Sequence, residues 1–589
     1  MKHTRGRAGE DMAVAETADL VVRGGTIVDG SGGEPYEADI VIDGGRIAAI
    51  EPKSTRRGTE EIDARGRIVT PGFVDLHTHY DGQATWDSRL APSSLHGVTT
   101  AIMGNCGVGF APCRPAQREL LIRLMEGIED IPNAVLTEGI PWNWESFPEY
   151  FDSLAARRYD IDIGGYLPHA ALRVFAMGER ASRHEAATAD DLARMAPLVR
   201  EAVAAGAFGL GTSRTIFHRS SDGQSVPTLR ASEEELTMLA TAVRAGGRGI
   251  LQYAVDWDDA EATFGLIRRV LERSGCPVAF SLVQQNQFPD NWRNVLAMTH
   301  QANDDGLPIS VQVMPRAIGM LLSHNLTLNP FITTDSYKAL THLPLAERLA
   351  ALRQPEIRAR IIAEATDPNP TNLLATFVRD FERMYPLGDP PNYEPAPEAS
   401  IAAEARRRGV APEALAYDLL LERDGQNMLF VATVNYAGKS LDATMEMLQH
   451  RDTVPGLGDG GAHLGVMCDA SYTSFMLTHW ARDRTRGPRI PLPQVVKSLS
   501  YDTARVIGLN DRGLLRPGYR ADMNVIDFDH LALGQPQVMN DLPAGGRRII
   551  QRAVGYDATI VRGVITQRGG APTDALPGRL VRGPQAGPG

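Results

Sequence analysis

Residues 71–81 read PGFVDLHTHYD, a short apolar run behind a Pro-Gly pair that ends in two histidines one residue apart. Side chains alternate faces along a β-strand, so a strand through this run sends the imidazoles of His77 and His79 to the same side. Two imidazoles side by side at a strand end suit a shared metal ion, and the plainer reading is a pair of strand histidines. The surrounding sequence decides between them. The first strand-like run reaches back to Ile68, as IVTPGFVDLHTHY (68–80), and downstream seven further runs alternate with amphipathic stretches such as 189–205 and 233–245. They are GVTTAIMGNCG (97–107), IDIGGYLPHA (161–170), GAFGLGTS (206–213), GILQYAVD (249–256), PVAFSLVQ (277–284), PISVQVM (308–314) and TVPGLGDGGAH (453–463). Eight βα units in series predict an α/β chain with a (β/α)8 TIM-like barrel over 67–510, an open doubly wound sheet being the rival. The barrel is preferred because polar residues collect at the C-terminal ends of several strands, where a barrel builds its site. Asp459 closes the eighth run and so lies beside the first. Two histidines and a carboxylate meeting there can hold Zn²⁺ and leave a position for water.

Both ends of the chain carry short β-rich runs, ADLVVRGGTIVDG (18–30) and EADIVIDGGRIAAIEP (37–52) before the barrel, YDATIVRGVITQRG (556–569) after it. They predict a small β-sandwich assembled from 18–66 and 511–568, with a hairpin at Asp43-Gly44-Gly45-Arg46, where the glycine pair supplies the positive φ of a tight turn. The stretch 114–160, with its Pro141, Trp142 and Trp144, departs from the regular alternation. So does 323–449, between the seventh and eighth strands, which is too long for a structureless loop. Its helical periodicity at 343–365 and 412–422 predicts a helical insertion, with two readings open: a lid over the barrel mouth, or a packing or dimerisation subdomain. The Pro/Gly-rich tail 569–589 is expected to be disordered.

The chain has 589 residues, a formal net charge of −12, 43% hydrophobic and 22% charged residues, which is the profile of a soluble globular protein. An acidic balance without clustered positive charge argues against nucleic acid or an anionic membrane as partner, leaving a small-molecule substrate and a possible homo-oligomer. No apolar run is long enough for a membrane span, and the N-terminus lacks the apolar stretch of a secretory signal. Met12 opens a second plausible start behind eleven polar residues. Cys106, Cys113, Cys276 and Cys468 are too few and too scattered for a disulfide scaffold, so a cytoplasmic location is expected.

Six segments carry a resemblance to a known family: PGFVDLHTHYD, HGVTTAIMGNCG (96–107), PHAALR (168–173), GAFGLGTS, GDGGAH (458–463) and GLLRPGYRADMNVID (513–527). Together they resemble the amidohydrolase superfamily, in its D-aminoacylase or N-acyl-D-amino-acid deacylase branch. The resemblance implies that His77 and His79 bind metal, that Cys106 of the GNCG string is a ligand, and that Asp459 is the catalytic acid/base. Two departures stand out. The family's fifth and sixth strands end in metal-binding histidines, in strings like THMR and SHHK, whereas here they read ILQYAVD and AFSLVQQNQ. The lysines are Lys2, Lys53, Lys338, Lys439 and Lys497, none at a predicted strand end, which disfavours the subtype bridged by a carbamylated lysine. What survives is one zinc ion, or another divalent metal, held by His77, His79 and Asp459 or Cys106. Gln252, Gln284 and His169 are candidates to complete its shell or to bind substrate.

The family's lysine and tyrosine for a substrate carboxylate are missing too. Arg173, Arg214 and Arg316 are candidate replacements through bidentate contacts. His463, four residues after Asp459, either orients that aspartate, touches substrate or caps a glycine-rich turn, and His218 lies in a loop with nothing to set it apart. The expected reaction is hydrolysis of the amide of a small N-acylated amino acid or related compound by metal-activated water, with Asp459 moving the proton. The alternatives are a lactone, cyclic imide or C–C bond on the same barrel, or a non-catalytic binding protein.

Overall fold

In a computed structural model of the protein, residues 17–366 and 373–588 are described. The possible second start at Met12 lies outside them. All eight expected strands form: β1 (Phe73–Asp75), β2 (Val98–Met103), β3 (Asp162–Gly165), β4 (Gly209–Arg214), β5 (Ile250–Val255), β6 (Val278–Leu282), β7 (Ile309–Val313) and β8 (Thr453–Pro455). Every neighbouring pair is parallel: β1 with β2 and β2 with β3 in one sheet, and β4 through β8 in order in another. The two sheets meet at both edges. On one side the chain runs from β3 into the short Leu167–Pro168 strand, which pairs with β4. On the other, Thr78 bridges Gly460 in parallel, beyond the ends of β1 and β8. The strands are buried nearly throughout, as strands covered on both faces must be. The connectors 189–204 and 233–246 are helices, each opened by a side-chain cap, Thr188 and Ser232.

The chain termini meet in a nine-stranded sheet. The strand Ala18–Ile27 pairs antiparallel with Tyr36–Asp43, which turns at Gly44-Gly45, both at positive φ, into Arg46–Glu51, the hairpin expected from sequence. The two ends are joined where Ile68–Pro71 lies antiparallel to Met523–Ile526. Val22, Ile40, Val69, Met523, Val525 and Ile560 fill the apolar layer behind it, each burial contributing about 1.5–3 kcal/mol.

Two expectations need correction. The segment 323–449 is not purely helical. With the strand just before it, it builds a three-stranded antiparallel sheet of Ile318–Leu322, Met384–Pro386 and Leu429–Val434, with its own core around Phe331, Leu352 and Tyr417. Short, mainly apolar runs at 318–322 and 429–434 pair across more than a hundred residues, which helical periodicity in between conceals. The tail is also placed rather than disordered. Gly578 bridges Tyr159, Leu580 bridges Ile163 and Gln585 bridges Leu509, and Val581 is buried. Its backbone groups find partners on the parallel-strand core, so a composition poor in apolar residues does not prevent ordering. The stretch 114–160 supplies three helices, Arg118–Glu129, Asn133–Gly139 and Phe147–Ala155. No helix among the described residues is long and apolar enough to cross a membrane.

Candidate metal centre

Past the end of β1 the backbone is held on both sides. The Thr78 amide donates to Ile102 O of β2, the His79 amide to Gly460 O, and the Asp459 amide to His77 O. These bonds keep residues 76–79 extended, and they bring His77, His79 and Asp459 to one point as the alternation predicts. His77 Nε2 lies 3.5 Å from Asp459 Oδ1, and so does His79 Nε2. Cys106 completes the group from the turn after β2, with Sγ 3.4 Å from His77 Nε2. Its turn depends on Gly104 and Gly107, both at positive φ: a Cβ at the first would meet Tyr166 O at 2.4 Å, and at the second Gly211 O at 2.7 Å. The ligand atoms of His77, His79 and Cys106 lie within 4.8 Å of one another, close enough to share an ion.

Supporting contacts orient the set. The His77 Nδ1–H donates to Gln312 Oε1 on β7 at 2.7 Å, which leaves the Nε2 lone pair facing Cys106 and Asp459. Gln252 on β5 accepts from the Cys106 amide at 3.1 Å. Cys106, Asp459 and His463 all take positive φ, at 56°, 47° and 52°. Such conformations cost about 1–3 kcal/mol each in non-glycine residues and persist only where the surroundings hold them.

Two further residues join. Glu129 ends the helix Arg118–Glu129, with Oε1 3.3 Å from His79 Nδ1, and His463 Nε2 lies 3.8 Å from Asp459 Oδ2 and 3.7 Å from Glu129 Oε2. A carboxylate at a helix C-terminus runs against the macrodipole, and that is the signal that marks Glu129 in the sequence. His218, held by Ser213 Oγ at 2.8 Å, faces the same cavity.

The electrostatics follow from burial. It pushes the Cys106 thiol up to about 11 and brings His77 down to about 4. For His79 burial acts downward, but Glu129, Asp459 and Cys106 outweigh it and hold the imidazole well above its usual range. For Asp459 burial acts upward, but His79, His77 and His463 prevail and keep the carboxyl far below the usual carboxylate range. His79 Nδ1, Glu129 Oε1 and Asp459 Oδ1 are buried atoms without an aligned hydrogen-bond partner. A donor set of two imidazoles, a thiol and a carboxylate with polar atoms left over fits a divalent, zinc-like cation.

Five of the residues the sequence puts forward stand outside this site. His169 bonds Thr212 Oγ1 at 2.9 Å and Glu235 Oε1 at 3.0 Å, and Arg173 pairs with the same Glu235 at 2.6 Å. Gln284 accepts from the Ala437 amide at 3.1 Å and donates to Pro289 O at 3.2 Å, pinning two loops together. Arg316 pairs with Asp469 at 2.5 Å and stacks on the Tyr393 ring at 3.9 Å. Arg214 turns to the Ala231 carbonyl. The reason is common to the buried ones: a desolvated guanidinium or imidazole is tolerated only when paired, and the partners come from elements far away in sequence. Cys113, Cys276 and Cys468 are buried and unbridged, as expected of core thiols.

Above the metal group opens a cavity of about 770 Å³, walled by β5, β6, the loop after β4, the strands Ile318–Leu322 and Leu429–Val434, and the helix Leu373–Val378. The segment 323–449 therefore contributes to the cavity wall.

Residues 60–567 match the profile that describes the amidohydrolase family. Among similar proteins, an uncharacterized protein of Mycobacterium tuberculosis is 27% identical over 95% of this chain and 93% of its own. The D-aminoacylase of Alcaligenes xylosoxydans xylosoxydans is 33% identical over 39% of this chain and 43% of its own. Among solved structures, the N-acyl-D-glutamate deacylase of Bordetella bronchiseptica, complexed with zinc and a phosphonate mimic of its tetrahedral intermediate, is similar with a TM-score of 0.62. It is 23% identical, over 96% of this chain and 100% of that one.

Proposed function

The chain belongs to the amidohydrolase family, and from that premise we propose a metal-dependent hydrolase that cleaves the C–N bond of a small N-acylated compound. One observation carries the reading: His77, His79, Cys106 and Asp459 converge at the floor of a single cavity with buried polar atoms left over for a cation. The relatives named D-aminoacylase and N-acyl-D-glutamate deacylase support amide hydrolysis, and the zinc in the second supports zinc here, one ion per chain. The eight parallel strands, joined at both edges, favour a (β/α)8 barrel over 67–510, with the terminal sheet of 18–66 and 511–568 as a separate layer. Four unbridged cysteines fit a reducing, cytoplasmic setting.

Hydrolysis adds hydroxyl to the carbonyl carbon and hydrogen to the leaving nitrogen. A divalent cation held by His77, His79, Cys106 and Asp459 would supply polarisation of the carbonyl and a more acidic water. The Asp459 carboxylate lines the cavity beside His77 and His79, where it would take a proton from water. It then returns that proton to the nitrogen, which leaves as an amine rather than as a strongly basic amide anion. Gln312 keeps His77 in one tautomer, and His463 lies between Asp459 and Glu129, all three lining the cavity.

Elemental analysis of protein purified without chelator, together with a hydrolysis screen of N-acylated amino acids, their amides, esters and cyclic imides, tests the reading. One zinc per chain and turnover of acyclic amides are expected. A metal-free protein inert toward all of them overturns it.

A further inference from the structure

Resting on the reading of this cavity as an amide-hydrolysing site, we infer that its substrate is an uncharged, largely apolar amide, not one carrying a free carboxylate. The wall is apolar and aromatic: Phe217, Trp257, Val283, Ile318, Met320 and Phe377 face the cavity. Phe217 and Phe377 remain 63% and 36% exposed, which leaves large apolar surface at the mouth for a ligand to cover. Trp257 spends its indole N–H on Ser281 O and presents only its ring.

The charges point the same way. Among the described residues lining the cavity, the acids are Glu129, Asp256, Asp380 and Asp459, and the one arginine is Arg383, already paired with Asp380 at 3.0 Å. Asp256 accepts from Thr215 Oγ1 at 2.6 Å and the Ile216 amide at 2.8 Å. Arg173, Arg214 and Arg316 are spent elsewhere, and the sequence DPNPTN of 367–372 brings no basic residue. A ligand carboxylate here loses water and meets like charge, and among the described residues lining the cavity no lysine and no second arginine stands ready to pair with it.

The neutral polar groups supply a positive match. Asn286 donates through Nδ2 to Thr433 O at 2.7 Å, and Gln285 through Nε2 to Asp258 Oδ1 at 3.1 Å. Those anchors orient both amides, so that Asn286 Oδ1 and Gln285 Oε1 are buried acceptors without partners. Gln285 and Asn286 thus line the wall with uncharged amides whose unpaired oxygens would suit an N–H donor, as on a second amide of the substrate, and would repel a carboxylate.

The test uses matched pairs of N-acyl-phenylalanine and its carboxamide, in both configurations and with short and long acyl chains, on the zinc-loaded enzyme. The carboxamide is expected to have a kcat/KM at least tenfold above the free acid, rising with acyl length. Equal or better turnover of the acid overturns the inference while leaving amide hydrolysis intact. Equilibrium dialysis of the same pairs against the full chain stripped of metal reads the cavity independently of catalysis. At least tenfold tighter binding of the carboxamide supports the inference even if neither compound is hydrolysed, in which case the amidase reading alone falls. Equal binding, or none, overturns it. The Gln285→Lys variant is expected to shift the preference at least tenfold toward the acid, and an unchanged preference counts against the assignment.

Discussion

At the C-terminal ends of the parallel strands His77, His79 and Cys106 close on one point, and beside the N-terminal end of β8 His300, His450 and Asp452 do the same. Interatomic spacing does not separate them. In the second group His300 Nδ1 is 3.2 Å and His450 Nδ1 3.7 Å from Asp452 Oδ2. The surroundings do. His77 and His79 are each 1% exposed, whereas His300 and His450 are 42% and 26% exposed. The Asp452 amide already donates to His450 Nδ1 at 3.3 Å, and Arg451 leans on the carboxylate. At the other pole buried atoms lack partners, His77 is held by Gln312, and three residues sit in a left-handed backbone. Ligand spacing is common, and a binding centre is built by desolvating the donors and denying them other partners.

The sharpest way to break this contrast is at Asp459. Asp459→Asn is expected to retain the fold by circular dichroism while kcat falls by about 10²–10⁴-fold, the usual worth of a positioned acid/base. Near-normal turnover would remove Asp459 from the chemistry. A third polar cluster, the buried Arg173–Glu235 pair with His169, serves as a control for burial without a reacting role. Arg173→Leu strands Glu235 and is expected to cost about 3–5 kcal/mol in denaturant unfolding, with the kcat/KM of the folded fraction unchanged. Lost activity at unchanged stability would return Arg173 to the site. At Gln312 the expected loss is smaller. Gln312→Leu frees the His77 ring and should weaken zinc affinity about 10–100-fold by competition with a chelating dye, against no change for an equally buried apolar substitution elsewhere on β7. The smallest effect is at the second pole: His450→Ala is expected to stay within about 0.5 kcal/mol in stability, with zinc content and turnover unaltered. A drop in metal per chain in that variant would mean that spacing alone had made a site.

Much of the site was legible where chemistry and local geometry coincide. The two-residue spacing of His77 and His79 needs only an extended backbone, and the glycines around Cys106 announce a turn that no side chain would survive. Asp459 is readable because the eighth strand-like run is expected to return beside the first, and Thr78 bridges Gly460 there. The arginines were not readable in the same way. Each was a fair carboxylate binder by type, and only the fold reveals that Glu235 and Asp469 hold two of them and a main-chain carbonyl the third. Gln312, Gln285 and Asn286 carry no charge and no motif, so nothing in the sequence sets them apart from other amides. Glu129 belongs to a segment outside the βα alternation.

By itself, then, the sequence determined the order of the eight strands, the pairing of the chain ends and the histidines, cysteine and aspartate at the strand tips. Those features rest on periodicity and turn chemistry acting over a few residues. Only the tertiary structure decided which polar groups remain unpaired. Partner choice in a buried interior is settled between elements hundreds of residues apart, where desolvation makes each charge take whichever counter-charge the packing brings within reach.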